Sequence, residues 1–156
     1  MDIGTEIRKS LNNEWLPTIY VEEVRSQRTR AYALDIVERE NRAEILYTLL
    51  GIELKVGNKR FGCPDLATAR YLRIFARMGC RKFAVPYDIT KISGIADEME
   101  TAWQRLLLLI DSKTKESPPR LRTRLRSALV REIRTGITES GSGEMMPEFK
   151  APRKQK

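Results

Sequence analysis

Apolar residues recur at heptad spacing in the second half of the chain. Six of them follow one another in steps of four and three positions: Ile92, Ala96, Met99, Trp103, Leu106 and Ile110. Such a seam predicts a helix over about residues 93–110 with one buried side. Residues 107–109 are all Leu and widen the apolar surface, so two interpretations stand. We favour a core helix; the alternative is a helix covered by a second copy. That oligomer interface would consist of Met99, Trp103, Leu106 and Ile110.

Alternation of apolar and charged residues with a period of two predicts strands. Residues 52–56 and 59–63 alternate on either side of the turn residues Gly57 and Asn58. This arrangement is typical of a β-hairpin. One further short strand is predicted at residues 82–85, because Phe83 and Val85 would point one way and Lys82 and Ala84 the other. The proline that follows marks its end or an edge position.

Helices are predicted on both sides of these strands. Asp65 is the expected N-cap of a helix over residues 66–78, and the glycine after it ends that helix. A short helix is expected over residues 2–12. Residues 21–50 contain mostly strong helix formers, so we favour helix there and leave open a break near Asn41. Residues 30–37 also alternate, and a strand is the competing interpretation for them.

The chain changes in character after Ser112. A polar connector with two prolines precedes a helix predicted over residues 118–135, which Gly136 would cap. Residues 138–156 are rich in Gly, Ser, Pro and charge, which predicts a disordered tail. We therefore divide the chain into a globular domain at 1–112, a basic amphipathic helix at 113–136 and a disordered tail at 137–156. The predicted fold class is a small, mainly helical α+β domain.

Positive charge is concentrated in the same C-terminal stretch. The 156 residues carry a formal net charge of +8, and 12 of the 29 Lys and Arg lie after Ser112 together with only five acids. That stretch therefore carries +7 of the charge, whereas the preceding residues sum to +1. A cationic segment on a nearly neutral body favours a polyanionic partner, most often nucleic acid.

Arginines of the C-terminal helix fall close to one line when plotted at 100° per residue: Arg120, Arg124, Arg131 and Arg134. The opposite side is predicted to carry Leu121, Leu125, Ala128, Leu129 and Ile133. Arg122 and Arg126 flank the apolar side and can reach outwards. Arginine suits phosphate because its planar fork donates two parallel hydrogen bonds. Cations in the first turns oppose the helix dipole, so an anion bound at the helix N-terminus would stabilise this helix. The alternative is a solvated face, or pairing with acids of the body.

A second group of basic residues surrounds the hairpin and the helix after it. Arg70, Arg73 and Arg77 form one stripe, and Tyr71 beside them offers a ring on which a base could stack. The hairpin contributes further cations. The residues predicted to bind nucleic acid are thus Arg120, Arg122, Arg124, Arg126, Arg131, Arg134, Arg70, Arg73, Arg77, Lys55, Lys59 and Arg60.

Catalytic signatures are weak. The chain has no histidine, which removes Ser-His-Asp and Cys-His nucleophiles and most zinc and haem sites. We therefore expect no catalytic residues, no metal and no cofactor. One minor alternative is a metal-dependent nuclease. It would use Glu53 and Lys55 on a strand, helped by Asp35 and Glu44.

The sequence thus predicts a non-catalytic protein that binds RNA or DNA through phosphate contacts. The alternative is an interaction or assembly protein. It would oligomerise through helix 92–110, as a homodimer for example, or dock its arginines on an acidic protein surface. No apolar run is long enough to span a membrane, the N-terminus shows no secretory pattern, and Cys63 and Cys80 lack zinc-ligand spacing. We therefore expect reduced thiols, a cytoplasmic location and no membrane partner.

Overall fold

Helices and short strands alternate along the chain in an α+β arrangement, which confirms the predicted fold class. The structure, a computed structural model, describes residues 2–142. In chain order the elements are α1 (Ile3–Leu11), α2 (Leu16–Ile19), β1 (Thr29–Ala33), β2 (Ala43–Thr48), β3 (Gly51–Val56), β4 (Lys59–Cys63), α3 (Leu66–Met78), β5 (Lys82–Pro86), α4 (Ile92–Lys113) and α5 (Pro119–Glu139). Across residues 2–142, none of the helices combines the length and the apolar character that crossing a membrane requires.

Five strands form two antiparallel sheets. β2, β3 and β4 form a three-stranded meander in which Ile45, Leu54 and Phe61 lie side by side. The face of the meander that carries Leu54 and Val56, both buried, packs against α3. β1 pairs with β5 in a separate two-stranded sheet. The predicted hairpin and the predicted short strand are both confirmed.

The helix predicted over most of residues 21–50 is wrong. The helix that begins with α2 continues through a single π turn, Tyr20–Val24, and ends there. β1 and β2 then follow. A strand was the competing interpretation for residues 30–37, and β1 contains residues 30–33 of that segment. Because β1 pairs with β5, about fifty positions later, long-range pairing outweighs the local helix preference of this segment.

Aromatic rings fill the space between α2, α3 and β5. Phe75 stacks on Phe83 with 4.1 Å between ring centroids, and Tyr71 lies 4.9 Å from Phe75. Tyr20 meets Phe75 edge-on. All four rings are buried, so they contribute apolar area as well as specific ring contacts to the core.

Two side chains hold the C-terminal end of α5 on this core. The Tyr20 hydroxyl accepts from the Ala84 N–H (2.8 Å) and donates to the Gly141 carbonyl. The Arg25 guanidinium donates to the Ser140 carbonyl at 2.9 Å. These contacts fix where α5 ends, and therefore how its exposed side is turned.

α4 is the central helix, and its heptad seam lies inside the chain's own core. Every seam residue is buried. The predicted oligomer interface is therefore corrected, because its residues pack against the chain itself and present no surface to a second copy. They are Met99, Trp103, Leu106 and Ile110.

α5 is longer than predicted and ends at Glu139. The predicted cap at Gly136 is wrong: this glycine lies within the helix, where a Cβ atom would come within 3.0 Å of the Pro17 ring. Its missing side chain thus allows α2 and α5 to approach closely. Residues 137–139 of the predicted tail (137–156) are helical, and residues 143–156 lie outside the described residues. The division into three parts stays a prediction.

We predict that Gly79→Ala destabilises the fold strongly. Gly79 ends α3 with φ +82, and a Cβ there would meet the Arg39 carbonyl oxygen at 2.3 Å. The left-handed backbone and this contact together should cost about 3 kcal/mol or more in the free energy of unfolding. Urea unfolding followed by circular dichroism measures the loss.

The matched control is Gly94→Ala in α4. A Cβ at Gly94 meets nothing within 4 Å, so alanine should be neutral or stabilise by up to about 1 kcal/mol. Equal effects of the two substitutions would contradict the packing of the Arg39 segment on the end of α3.

Candidate nucleic-acid interface

Arginines of α3 face acids of α4 in a regular ladder. The Arg70 guanidinium donates to both Asp97 and Glu100, and Arg73 donates to Glu100 at 2.6 Å. Arg70 and Asp97 are 27 positions apart, as are Arg73 and Glu100, so α3 and α4 run in the same direction. The prediction that these two arginines bind phosphate is therefore corrected: carboxylates of the same chain already neutralise them.

The ladder shifts the pKa of Glu100. Burial of the carboxylate acts to raise this pKa, but the hydrogen bonds and charges of Arg70 and Arg73 together outweigh burial and hold it below the usual value. Those hydrogen bonds raise the pKa of Arg70 in return. The three groups therefore remain charged at neutral pH and form a network with little exposed charge.

Arg77 occupies the third position of the stripe and has no such partner. The residue 27 positions later is Gln104, whose amide is neutral. Arg77 is half-buried, and in the part of the chain that the structure describes no carboxylate lies within ion-pair distance of it.

The loop between β1 and β2 contacts both α3 and α5 beside a cleft. The Asn41 side chain donates to the Ala76 carbonyl at 3.2 Å, which ties this loop to the end of α3. Its neighbour Glu40 then accepts two hydrogen bonds of 3.1 Å from Arg126 of α5. Arg126 is thereby neutralised, and it lines a cleft of about 390 Å³ together with Arg77. The arginine stripe of α3 thus reaches α5 at Arg77.

One face of α5 keeps its predicted charge. Arg120, Arg124 and Arg131 are exposed, and among residues 2–142 none of the three has a carboxylate within ion-pair distance. The fourth predicted member, Arg134, donates instead to the Met78 carbonyl at 2.9 Å. Beside this face, Arg122 lies 3.9 Å from the exposed Asp111 carboxylate. We call Arg120, Arg124 and Arg131 the α5 arginine face.

The buried side of α5 differs in part from the prediction. Leu121 and Ala128, predicted to lie on the apolar side, are exposed. Val130 and Ile137 are buried there instead, together with Leu129 and Ile133 as predicted. The helix is turned because Pro17 packs against Gly136, a contact between remote residues that helical periodicity does not reveal.

Cations of the hairpin are matched by acids. Lys59 pairs with Asp35 at 2.6 Å and Arg60 with Glu53 at 3.3 Å. Lys55 lies opposite Glu44 in the β2–β3 register. Lys55 and Arg60 alternate with the residues that face α3, so they lie on the outer face of the meander. Among residues 2–142, the structure shows no contact between these three cations and the α5 arginine face.

The nuclease interpretation gains nothing from this geometry. Glu53 is engaged by Arg60, and Asp35 by Lys59. Within residues 2–142 no group of three His, Cys, Asp or Glu side chains could hold a metal ion.

Tyr71 and the two cysteines belong to the packed interior. The prediction of Tyr71 as a stacking ring is wrong, because the ring is buried and its hydroxyl donates to the Ala84 carbonyl at 2.7 Å. Burial raises its pKa well above the usual value. Cys63 and Cys80 are free thiols, and burial raises the pKa of Cys80 to about 12, which makes this thiol unreactive at neutral pH.

Sequence reasoning missed an apolar tip at the β2–β3 turn. Leu49 is 105% exposed, Leu50 is 91% exposed and Tyr47 is 71% exposed. The helix predicted across residues 21–50 extended through Leu49 and Leu50 and so concealed the turn between β2 and β3. The glycine after Leu50 is the signal that could have revealed this turn. A glycine between two segments with strand character is typical of a hairpin.

Comparisons of the chain with protein-family models, with curated proteins and with solved structures found no match. Function is therefore argued from the geometry and charge of the chain alone.

We predict that the ladder contributes stability that is lost in acid. The folded-state pKa of Glu100 lies below the unfolded value of about 4.5, so its contribution is complete above that pH and is lost as pH falls through the folded pKa. Glu100→Gln should cost about 1–3 kcal/mol at pH 7 and should flatten the decline in stability between pH 5 and pH 3. Urea unfolding at a series of pH values measures both effects.

Glu116→Gln, in the exposed connector before α5, is the matched control. It should follow the pH dependence of the unaltered protein. If Glu100→Gln lost as much stability on acidification as the unaltered protein, the ladder would not be the source of the acid sensitivity.

Proposed function

We propose that the protein binds nucleic acid without catalysis, through phosphate contacts made by the α5 arginine face. The observation that carries the proposal is a contrast within one chain. Six of the twelve predicted basic residues lie within ion-pair distance of a carboxylate, whereas Arg120, Arg124 and Arg131 are exposed and unpaired among the described residues. These three lie in one row on α5, so together they present a localised positive surface.

The packing of α5 supports the proposal because it holds the arginines in a fixed row. Leu129, Val130, Ile133 and Ile137 are buried against the body. The three arginines project from the other side, and at 1.5 Å per residue they span about 16 Å along the helix axis. That length allows contacts with several successive phosphates of one strand. Each guanidinium can donate two parallel hydrogen bonds to a phosphate.

Phosphate contacts position a protein on nucleic acid but do not read its sequence. Tyr71, the ring predicted to stack on a base, is buried and therefore not available to a bound strand. The proposed binding is therefore independent of base sequence and applies to RNA and DNA alike. Residues 143–156 would add to it by charge, since they contain four basic residues and two acids.

We predict a steep salt dependence that the α5 arginine face generates. The combined variant Arg120→Gln, Arg124→Gln and Arg131→Gln should bind a generic single-stranded oligonucleotide at least ten-fold more weakly. Because each lost phosphate contact removes about 0.7 from the slope of log affinity against log salt concentration on single strands, that slope should flatten by about 2. Fluorescence anisotropy between low and moderate salt measures both quantities.

The control removes the same charge elsewhere: Arg30→Gln, Arg81→Gln and Lys91→Gln, at three exposed positions outside α5. Binding and slope should then stay close to those of the unaltered protein. Equal losses in both variants would show that net charge alone drives binding and would reject the α5 arginine face as the interface.

A second candidate is an interaction protein, and the β2–β3 tip favours it. Two fully exposed leucines at a turn are an unusual use of apolar surface. The simplest partner is a second copy of the chain. It would cover this tip, whereas the sequence pattern predicted an oligomer interface on the heptad seam of α4. Sedimentation should then show a mass that rises with concentration, and Leu49→Ser with Leu50→Ser should abolish the rise. A monomer at all concentrations would remove this candidate.

A further inference from the structure

The Arg77 side chain is a partly desolvated cation without a counter-ion in the described chain. Burial, and after it the neighbouring charge of Arg73, lower the pKa of Arg77. The first two arginines of the α3 stripe meet Asp97 and Glu100. Because Gln104 stands where a third acid would lie, Arg77 has no ion pair among the described residues, and of the neighbouring charges that of Glu100 acts to raise its pKa. A partly buried cation without an ion pair would be stabilised by an external anion.

Space for such an anion exists on both sides of the Arg77 side chain. Arg77 and Gln104 line the cleft of about 390 Å³ that borders α5, and they also line a second cleft of about 530 Å³ between α3 and α4. The two clefts therefore meet at this pair of residues. The second cleft is lined further by Arg73, Thr101 and Arg105. We call the two together the Arg77 cleft.

Carboxylates that line the Arg77 cleft would repel an anion unless other cations neutralise them. Three of the four are held in ion pairs: Asp97 by Arg70, Glu100 by Arg73 and Glu40 by Arg126. The fourth, Glu44, lies opposite Lys55 in the β2–β3 register. An oxyanion could therefore accept from the Arg77 guanidinium without displacing a carboxylate.

We propose that the Arg77 cleft is an oxyanion site that binds one phosphate group through Arg77, with Gln104 as a neighbouring donor. This site is separate from the α5 arginine face and does not depend on it. The phosphate group comes either from a nucleic-acid strand or from a small phosphorylated molecule. Both sources present the same tetrahedral oxyanion to the cleft.

The test uses inorganic phosphate as the probe, the full chain, and NMR of ¹⁵N-labelled arginine side chains. Titration should shift the Arg77 Nε–H signal in a saturable way, and Arg77→Gln should weaken phosphate binding at least ten-fold. Arg81→Gln, an exposed arginine outside the cleft, should leave binding unchanged. Shifts that grow linearly on all arginines alike, or unaltered binding in Arg77→Gln, would overturn the site.

Gln104→Glu provides a sharper variant because it supplies the missing third acid of the ladder. The new carboxylate should occupy the place of the external anion, so phosphate binding should fall at least ten-fold while the melting temperature rises by a few degrees. Gln104→Leu has no charge to offer Arg77 and should retain most of the binding. If Gln104→Glu bound phosphate like the unaltered protein, Arg77 would not be the anchor.

Two further experiments complete the test. The first distinguishes this site from the α5 arginine face, and the second identifies the source of the phosphate. The combined Arg120, Arg124 and Arg131 variant should keep phosphate binding, so loss of nucleic-acid binding and loss of this site are distinguishable. An oligonucleotide without terminal phosphates is then added to the phosphate-bound protein. Displacement of phosphate assigns the site to the nucleic-acid backbone, and binding without displacement assigns it to a terminal or free phosphorylated group. Either result supports the site.

Discussion

Pairing between the arginines of α3 and the acids of α4 determines which of the α3 arginines remains available to an external anion. The two helices run in the same direction, so each arginine meets a residue 27 positions later. Where that residue is Glu100, the positive charge is cancelled in a partly buried network. Where it is Gln104, the charge of Arg77 remains. The same principle operates on α5, since Glu40 cancels Arg126 and leaves the exposed row uncancelled.

α4 makes this pairing possible because it has two distinct sides. Its heptad seam anchors the helix in the core, and the adjacent side presents Asp97 and Glu100 to α3. Contacts near the C-terminal end of α5 hold it on the body: Pro17 against Gly136, and Tyr20 against Gly141. Together with the buried side of the helix, these contacts help to set the direction of the α5 arginine face.

Sequence reasoning identified those elements whose signals are local. The Asp65 cap, the glycine that ends α3, the hairpin around Gly57 and the heptad periodicity of α4 are all properties of a few neighbouring residues, and the structure contains each of them. Residues 21–50 were misassigned because β1 and β2 depend on partners that lie elsewhere in the chain. Helical periodicity likewise located the arginine row of α5 but not the arginines that other helices neutralise. The ion pairs of Arg70, Arg73 and Arg126 require knowledge of which helix or loop packs beside each arginine, and a spacing rule within one helix carries no such information.

Cross-linking tests the central claim most directly, because it maps which part of the protein touches the strand. The full chain is bound at low salt to a photoreactive single-stranded oligonucleotide, irradiated, and digested, and the cross-linked peptides are identified by mass spectrometry. The account predicts cross-links concentrated in peptides from residues 119–139, on the exposed side of α5. Absence of cross-links from residues 119–139, or cross-links spread evenly over the surface, would contradict it.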